Sequence, residues 1–495
     1  MTQLDSSMYE KIFYPETIAL IGASDDPTKF GNLLLDAQIR HGFKGTIFPV
    51  NPNAAEVHGI RSWPDVESIP EPVDFAIIAV PDQMVIPAVE ACARKGIKGV
   101  EVVTSGFREA GHSGKALENE LIRIVKETGI RVIGPNCFGV YSPAVGLTYF
   151  PGVEFSRKTG PVGFISQSGG GGCDAAYMAR GRGVHFSFMV SYGNGCDIDA
   201  TELLRYFEND PKTRFVGAYI EGVRDGRAFF NALRSCSAKK PVVIFKSGLT
   251  DQGQRGTIGH TGSLAGSQSV WEGAVKSAGA VSAAGVQDLV ECLMAFQCLE
   301  GFTGGNAAVM AGSGLRCVEA LDAASISNIA VPELSDETRA LIKSFLPPAG
   351  GRAGNPADLG SPVMPPKVMI PMMNAIASSE RIHFIVLYQM LYYILYEGKR
   401  RKALKQVPER AFEFHMDVAE AGVRIRKDTG KPLVLILPNI VSHPDHSDIE
   451  KGRIIACDYY TSMGIPCFEN GYQAFSVLRR VFDYYRRREE NKETA

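Results

Sequence analysis

The feature that most constrains this chain is its alternation of short apolar runs with longer amphipathic stretches. Thr17-Ile-Ala-Leu-Ile21, Ile47-Phe-Pro-Val50, Phe75-Ala-Ile-Ile-Ala-Val80, Val100-Glu-Val-Val103 and Arg131-Val-Ile133 read as buried strands. Met84 to Arg94 and Gly114 to Glu127, which lie between them, have helical periodicity. Strands alternating with helices predict a parallel sheet with helices packed on its faces. This first series ends near Val145. A second has strands at Pro161–Ser166, Phe186–Val190, Phe215–Ile220 and Val242–Lys246, and ends near Gly301, where Gly301-Phe-Thr-Gly-Gly-Asn306 reads as a linker. A third has strands at Ala307–Met310, Ile382–Tyr388, Leu433–Leu437 and Ile465–Phe468. The expected domains are therefore 1–145, 146–300 and 301–495, in keeping with 495 residues at roughly 150 per domain. The closing run Tyr484-Tyr-Arg-Arg-Arg-Glu-Glu-Asn491 reads as a solvated helix end.

Composition narrows the partners. A net charge of -2 gives no electrostatic reason to expect nucleic acid or an anionic membrane. No apolar stretch reaches the roughly 18 residues that cross a bilayer. Met1 to Lys11 is polar and acidic, unlike a signal peptide. The 10 cysteines show neither a CxxC pair nor zinc-like spacing, so they read as reduced thiols of a cytoplasmic protein, most of them packed as small hydrophobes.

Several loops carry chemistry. Ile21-Gly-Ala-Ser-Asp-Asp-Pro-Thr-Lys-Phe-Gly31 follows a strand and enters a helix, where free N–H groups can hold a phosphate. Its spacing is not GxGxxG, which argues against an NAD fingerprint, and a plain βα turn is the competing reading. Val50-Asn-Pro52, Val80-Pro-Asp82, Thr104-Ser-Gly-Phe107 and Gly134-Pro-Asn-Cys137 also follow strand ends. Ligands of open parallel sheets sit at those ends, and several such loops suit a long ligand. Cys137 reads as a packed thiol rather than a nucleophile.

In Ser166-Gln-Ser-Gly-Gly-Gly-Gly172, four glycines expose N–H groups at a helix start, and Ser168 can add a hydroxyl. With a flexible linker as the competing reading, which the position between strand and helix opposes, the loop reads as an anion site at Ser168, Gly169 and Gly170 that Gly193 and Asn194 of Ser191-Tyr-Gly-Asn194 could complete. Gly256-Thr-Ile-Gly-His-Thr-Gly-Ser-Leu-Ala-Gly266 surrounds one histidine with small residues. Imidazole is a competent nucleophile toward phosphorus, and small neighbours let a charged group approach it. A phosphate-carrying His260 needs an acidic partner on its other ring nitrogen, and Glu221, at a strand end, is the best candidate. His443-Pro-Asp-His446 reads as a surface loop without a third metal ligand.

Taken in order, Gly22-Ala-Ser24, Gly134-Pro-Asn-Cys137, Ser166-Gln-Ser-Gly169, Ser191-Tyr-Gly-Asn194, Tyr219-Ile-Glu-Gly222, His260-Thr-Gly-Ser-Leu-Ala-Gly266 and Gly354-Asn-Pro-Ala-Asp358 resemble the α subunit of ADP-forming (NDP-forming) acetyl-CoA synthetase, a family related to succinyl-CoA synthetase. The resemblance implies an α/β chain: a CoA-binding Rossmann domain, then two flavodoxin-like ligase domains. It implies an acid–thiol ligase in which acyl-CoA and phosphate give an acyl phosphate and free CoA, and the phosphoryl group moves to the histidine and then to ADP or GDP. It assigns His260 as phosphate carrier, Glu221 as its stabilising carboxylate, and phosphate to Ser168 and Gly169. It places CoA on Gly22, Ala23, Ser24, Lys29, Val50, Asn51, Pro52, Val80, Pro81, Ser105, Gly106 and Asn136.

Nothing in the sequence resembles an ATP-grasp domain, so a separate β subunit is expected to supply ADP or ATP and Mg2+, in an α2β2 assembly acting on a small carboxylic acid. The family often has a lysine where Asn53 stands, and Lys29 and Lys44 are the nearby cations. The loop Ala311-Gly-Ser-Gly-Leu-Arg316 also departs from the family's glycine- and proline-rich form. Two other functions compete: a CoA-dependent acyl- or carbamoyl-transferase that needs no nucleotide, and a non-catalytic CoA sensor.

Overall fold

A computed structural model describes residues 6–250, 252–253, 267–347, 350–362, 364–393, 407–440 and 443–493. His260 lies outside them. The chain divides into two compact units, one of residues 1–180 and 185–290, the other of 181–184 and 291–495.

The first unit holds two sheets. The strands of the first are β1 (Thr17–Ile21), β2 (Thr46–Val50), β5 (Phe75–Ile78), β6 (Gly99–Val102) and β7 (Arg131–Ile133), and a small hairpin lies between β2 and β5, formed by β3 (Glu56–Val57) and β4 (Ile60–Arg61). The five long strands are parallel in the order β2-β1-β5-β6-β7. Ile18, Ala19, Leu20, Phe75, Ala76 and Ile77 are fully buried, so both faces of the central strands are covered, as their unbroken apolar runs require. In the hairpin, His58 and Gly59 both take positive φ, the backbone of a tight primed turn.

The second sheet comprises β8 (Gly139–Tyr141), β9 (Val162–Ser166), β10 (Phe186–Ser191), β11 (Phe215–Ile220), β12 (Val242–Lys246) and β13 (Val281–Ala283), in the order β13-β12-β11-β9-β10-β8. Only the edge strand β8 runs antiparallel. The two sheets share one core. Its wedge is the helix Ser6–Phe13, whose Tyr9, Ile12 and Phe13 are fully buried, with Phe13 stacked on Phe188 of β10 at 4.4 Å. The polar N-terminal segment thus supplies an apolar face.

Glu101 of β6 is 1% exposed, and the Val140 N–H donates to its Oε2 at 2.9 Å. A side chain at Gly139 would come within 1.9 Å of that oxygen. Burial pushes this carboxyl up to about 8. An unfolded Glu titrates near about 4.3, so the folded state holds the proton more tightly and its advantage is lost as pH rises between the two values, by up to ~1.4 kcal/mol per pH unit. Glu101→Gln removes that dependence. The melting temperature of the variant relative to wild type is expected to rise from pH 5 to pH 9; a constant difference would refute the reading.

The second unit is built on β14 (Ala307–Ala311), β15 (Ala357–Asp358), β16 (Phe384–Tyr388), β17 (Leu433–Ile436) and β18 (Cys467–Phe468). These are parallel in the order β15-β14-β16-β17-β18. The motif Gly354–Asp358 does structural work here. Asn355 Oδ1 accepts the Val309 N–H at 2.9 Å, and its Nδ2 donates to the Ala307 and Pro332 carbonyls at 2.9 and 2.8 Å. The helix Pro366–Ala377 buries Met369, Met372 and Met373 against this sheet. Among the described residues, no helix is long and apolar enough to cross a membrane.

The parallel strands of each sheet reverse their winding once. The chain moves outward from β1 to β2 and then returns across β1 to β5; it does the same at β9/β11 and at β14/β16. Such switch points open a crevice at the strands' carboxyl ends, where ligands bind.

Candidate functional site

At the β1/β5 switch point the Gly22–Ser24 loop faces Ala79–Pro81. Gly22 has φ +94°, and a Cβ there would lie 2.5 Å from the Ala79 carbonyl oxygen. A Cβ on Gly31 would lie 1.9 Å from the Gly22 carbonyl oxygen, so only glycine lets the helix Phe30–His41 start against the loop. Its N-cap, Lys29, makes no side-chain capping hydrogen bond, which leaves the helix start able to face an anion. The loop is braced from below: Asn51 Nδ2 donates to the Ala23 carbonyl at 2.8 Å and Asn32 Nδ2 to that of Ser24 at 2.9 Å. Nearby acidic groups are turned to the backbone, with Asp25 accepting from the His58 N–H at 2.7 Å and Asp26 from the Thr28 N–H at 2.9 Å.

The remaining first-sheet residues line the same edge. Pro52, Pro81 and Ser105 are exposed, Asn51, Val80 and Gly106 half-buried, and Val50, Ala23 and Ser24 buried. Val50 and Ala23 can therefore contribute backbone only. Lys29 is exposed beside the loop, whereas Lys44 donates to the Ala144 carbonyl at 2.7 Å. Asn136 takes φ +58° and donates its N–H to the Thr104 carbonyl at 2.9 Å. Cys137 is buried, donates to the Val102 carbonyl at 3.3 Å, and is held well above the ordinary thiol pKa by burial, so it is a packed thiol.

At the β9/β11 switch point, Ser166–Gly169 leads into the helix Gly169–Arg180. The glycines have separate reasons. A Cβ on Gly169 would meet the Phe138 ring at 2.8 Å, one on Gly171 the Tyr219 ring at 3.0 Å, and one on Gly172 the Tyr149 hydroxyl at 3.0 Å. Gly170 is exposed, and a Cβ there would meet the Ser168 hydroxyl at an ordinary 3.9 Å. Ser168 Oγ accepts the Gly171 N–H at 3.3 Å and its carbonyl accepts that of Gly172 at 3.0 Å. Among the described residues nothing accepts the Gly169 and Gly170 N–H groups, so the helix start presents two donors and its dipole to an incoming anion.

Glu221 stands beside this loop at the end of β11 and is 6% exposed. Gln167 joins the two: its Oε1 accepts from the N–H groups of Glu221 and Gly222 at 2.8 and 2.9 Å and from the Tyr192 hydroxyl at 3.1 Å. The Tyr219 hydroxyl donates to Glu221 Oε1 at 3.1 Å and lies 3.2 Å from Ser247 Oγ. Burial raises this phenol to about 12, so it stays a neutral donor. Lys246, 7% exposed at the end of β12, donates to the carbonyls of Glu221 and Ser247 at 2.8 and 3.0 Å. Burial lowers its pKa and the Glu221 charge opposes that. Gln167, Tyr219 and Lys246 adjoin the candidate site, and no motif assigns them a role there. Lys246 carried a signal, as a charge closing an otherwise apolar strand.

Gly193 and Asn194, expected to complete the anion pocket, belong to the seam between the two sheets. Asn194 Nδ2 donates to Glu109 and Glu118 at 2.6 and 2.8 Å, and its N–H to the Pro135 carbonyl at 3.0 Å. Gly193, at φ +53°, is glycine because a Cβ would lie 2.1 Å from the Asn136 carbonyl oxygen. The glycine pattern marked close backbone approach correctly, but the approaching group is protein. Tyr149 and Met189 are fully buried core, joined by a 3.0 Å hydroxyl–sulfur contact. His443 and the turn Pro444–His446 make a surface feature, and the described residues contain no cluster fit to hold a metal.

Comparison with known proteins agrees with this architecture. Residues 16–143 match the family model described as a CoA binding domain, and residues 159–296 that of a succinyl-CoA ligase like flavodoxin domain. The chain is 30% identical over 492 residues to the α subunit of the ADP-forming acetate–CoA ligase I of Pyrococcus furiosus, covering 98% of this chain and 99% of that one. It is 37% identical over 353 residues to the ADP-forming acetate–CoA ligase I of Archaeoglobus fulgidus, and this match covers 71% of the chain but 50% of the relative, so it spans about half that protein's length. Among solved structures, acetyl-coenzyme A synthetase 1 of Ca. Korarchaeum cryptofilum, in complex with phosphate and ADP, superposes with a TM-score of 0.79 at 29% identity, covering 98% of each chain. A CoA-binding domain followed by a succinyl-CoA-ligase-like flavodoxin domain places the chain in the succinyl-CoA-ligase-like class. Within that class, the chain belongs to the ADP-forming acetate–CoA ligase family, whose relatives include chains named as α subunits.

Proposed function

We propose that this chain is the CoA-binding, phosphohistidine-carrying α subunit of an NDP-forming acyl-CoA synthetase, which reversibly converts a carboxylic acid, CoA and ATP into acyl-CoA, ADP and phosphate. The observation that carries the reading is the junction at β9/β11, where the Gly169 and Gly170 N–H groups, which have no acceptor among the described residues, and the Glu221 carboxylate are tied together by Gln167. One end receives an anion and the other steadies a cationic ring. In the direction that consumes acyl-CoA, a phosphate held at Ser168, Gly169 and Gly170 attacks the thioester carbonyl and the CoA thiolate leaves. His260 then attacks the phosphorus of the acyl phosphate and the carboxylate leaves. Glu221 accepts the N–H of the other ring nitrogen and offsets the imidazolium charge. The phosphoryl group passes to ADP on a separate ATP-grasp β subunit that holds Mg2+, within an α2β2 assembly.

Coenzyme A is assigned to the β1/β5 edge, with a diphosphate against Gly22–Ser24 and the start of the Phe30–His41 helix, and the rest along Asn51, Pro52, Val80, Pro81, Ser105, Gly106 and Asn136. The Gly22–Gly31 approach fits such a ligand, since it brings backbone N–H groups close to a phosphate. Gly22→Ala is expected to lower stability by about 1–3 kcal/mol through its positive φ and the Ala79 contact. It should also weaken CoA binding by calorimetry. Gly42→Ala is the control: φ is +85° with no atom near its Cβ, at the far end of the same helix, so it should lose stability and keep CoA affinity.

The deciding experiment combines the chain with an ATP-grasp β subunit, labelled ATP and Mg2+. Acid-labile label on the chain, and acyl-CoA formation that requires nucleotide, are the expected results. Acyl transfer without nucleotide would make it a transferase, and CoA binding with neither label nor turnover would make it a sensor.

A further inference from the structure

In the second unit, two thiols from different elements face each other. Cys457 lies on the helix Ser447–Ser462 and Cys467 on β18, the edge strand of the sheet, and their sulfurs are 2.7 Å apart. Non-bonded heavy atoms settle at about 3.5–4.0 Å. A disulfide needs about 2.05 Å. The pair is thus held nearer to bonding than to ordinary packing, and both residues are buried, at 6% and 5% exposure.

The surroundings are asymmetric. Arg453, one turn before Cys457, donates through Nη1 to its sulfur at 3.9 Å, and the guanidinium is anchored by Glu450 at 2.6 Å and Glu469 at 3.3 Å. Among the described residues no guanidinium hydrogen-bonds to Cys467, whose thiol burial and the neighbouring Cys457 hold well above the ordinary pKa while the Arg453 charge opposes them.

We propose that Cys457 and Cys467 form a reversible redox dithiol, which a hydroperoxide closes into a disulfide pinning β18 to the helix Ser447–Ser462. The Cys457 thiolate attacks the terminal peroxide oxygen; an S–O bond forms, the O–O bond breaks, and water or an alcohol leaves after protonation. The Cys467 sulfur then attacks the Cys457 sulfenic sulfur; the S–S bond forms, the S–O bond breaks, and the departing hydroxide takes the Cys467 proton as water. Both thiols are oxidised and one peroxide is reduced. A small oxidant suits sulfurs this buried, and a dithiol reductant reverses the change after local opening.

The test uses the intact chain. It is exposed to graded hydrogen peroxide, denatured, alkylated, digested and mass-mapped. The expected result is one linked Cys457–Cys467 peptide pair, two hydrogens lighter than the separate thiols, formed at peroxide doses that leave the other cysteines alkylated and restored by dithiothreitol. In Cys467→Ser, Cys457 should stop at a sulfenic acid that dimedone traps. The proposal is overturned if both cysteines remain alkylated at doses that oxidise methionines, if either becomes a sulfinic acid without a linked pair, or if the linkage joins a different cysteine.

Discussion

Replacing His260 with alanine is expected to abolish the acid-labile phosphorylation and to lower nucleotide-dependent acyl-CoA formation by at least ~10³-fold, since a lost covalent carrier leaves no alternative route for the phosphoryl group. CoA affinity should be unchanged, because the proposed CoA edge belongs to a different sheet from the loop that precedes the His260 segment. The measurement is rapid-quench labelling with the β subunit present, beside calorimetric CoA binding. Full ligase activity in His260→Ala would remove the histidine from the mechanism. Loss of CoA binding together with loss of label would point to misfolding, which circular dichroism separates.

The second large effect is expected at Glu221. Glu221→Gln keeps the shape of the side chain, and its Oε1 can still accept from the Tyr219 hydroxyl, now 3.1 Å away. What it loses is the charge that offsets a histidine gaining positive charge. Substituting the amide for the acid in comparable acid–histidine pairs lowers turnover by up to about 10⁴-fold, so a fall of ~10²–10⁴ in the phosphorylation rate is expected, with CoA affinity intact. The buried Lys246 adds to this. Its ammonium is held against the Glu221 carbonyl at 2.8 Å, and the substitution removes the carboxylate charge that opposes the lowering of its pKa by burial. Single-turnover phosphorylation is the readout, and a rate within a few-fold of wild type would exclude Glu221 from the role.

The sequence carried the central strands plainly because parallel strands buried on both faces are unbroken apolar runs, such as Phe75–Ile78 and Val162–Ser166. It does not mark β8, β13 or β15, which are edge strands of two or three residues, too short to show a period. The β3–β4 hairpin escaped notice because its turn is His58-Gly59 rather than Asn-Gly. For the site, the glycine runs and Glu221 were legible from their position at strand ends. Gln167 was visible only as a letter within Ser166–Gly169, because a side chain that works by accepting backbone N–H groups leaves no spacing signature. Asn194 shows the opposite case. A polar residue in a glycine-rich loop suggests a ligand contact, yet its partners Glu109 and Glu118 lie 85 and 76 residues away, a separation no local pattern encodes.

Gln167 also has a mechanical meaning. Its single carboxamide oxygen gathers Tyr192, Glu221 and Gly222 while its backbone N–H is held by the Tyr219 carbonyl at 2.9 Å. The loop proposed to hold an anion and the strand end that carries the carboxylate are therefore joined through one side chain. An anion drawing the helix start inward would set the carboxylate's position in the same movement, so occupancy and readiness would be one event.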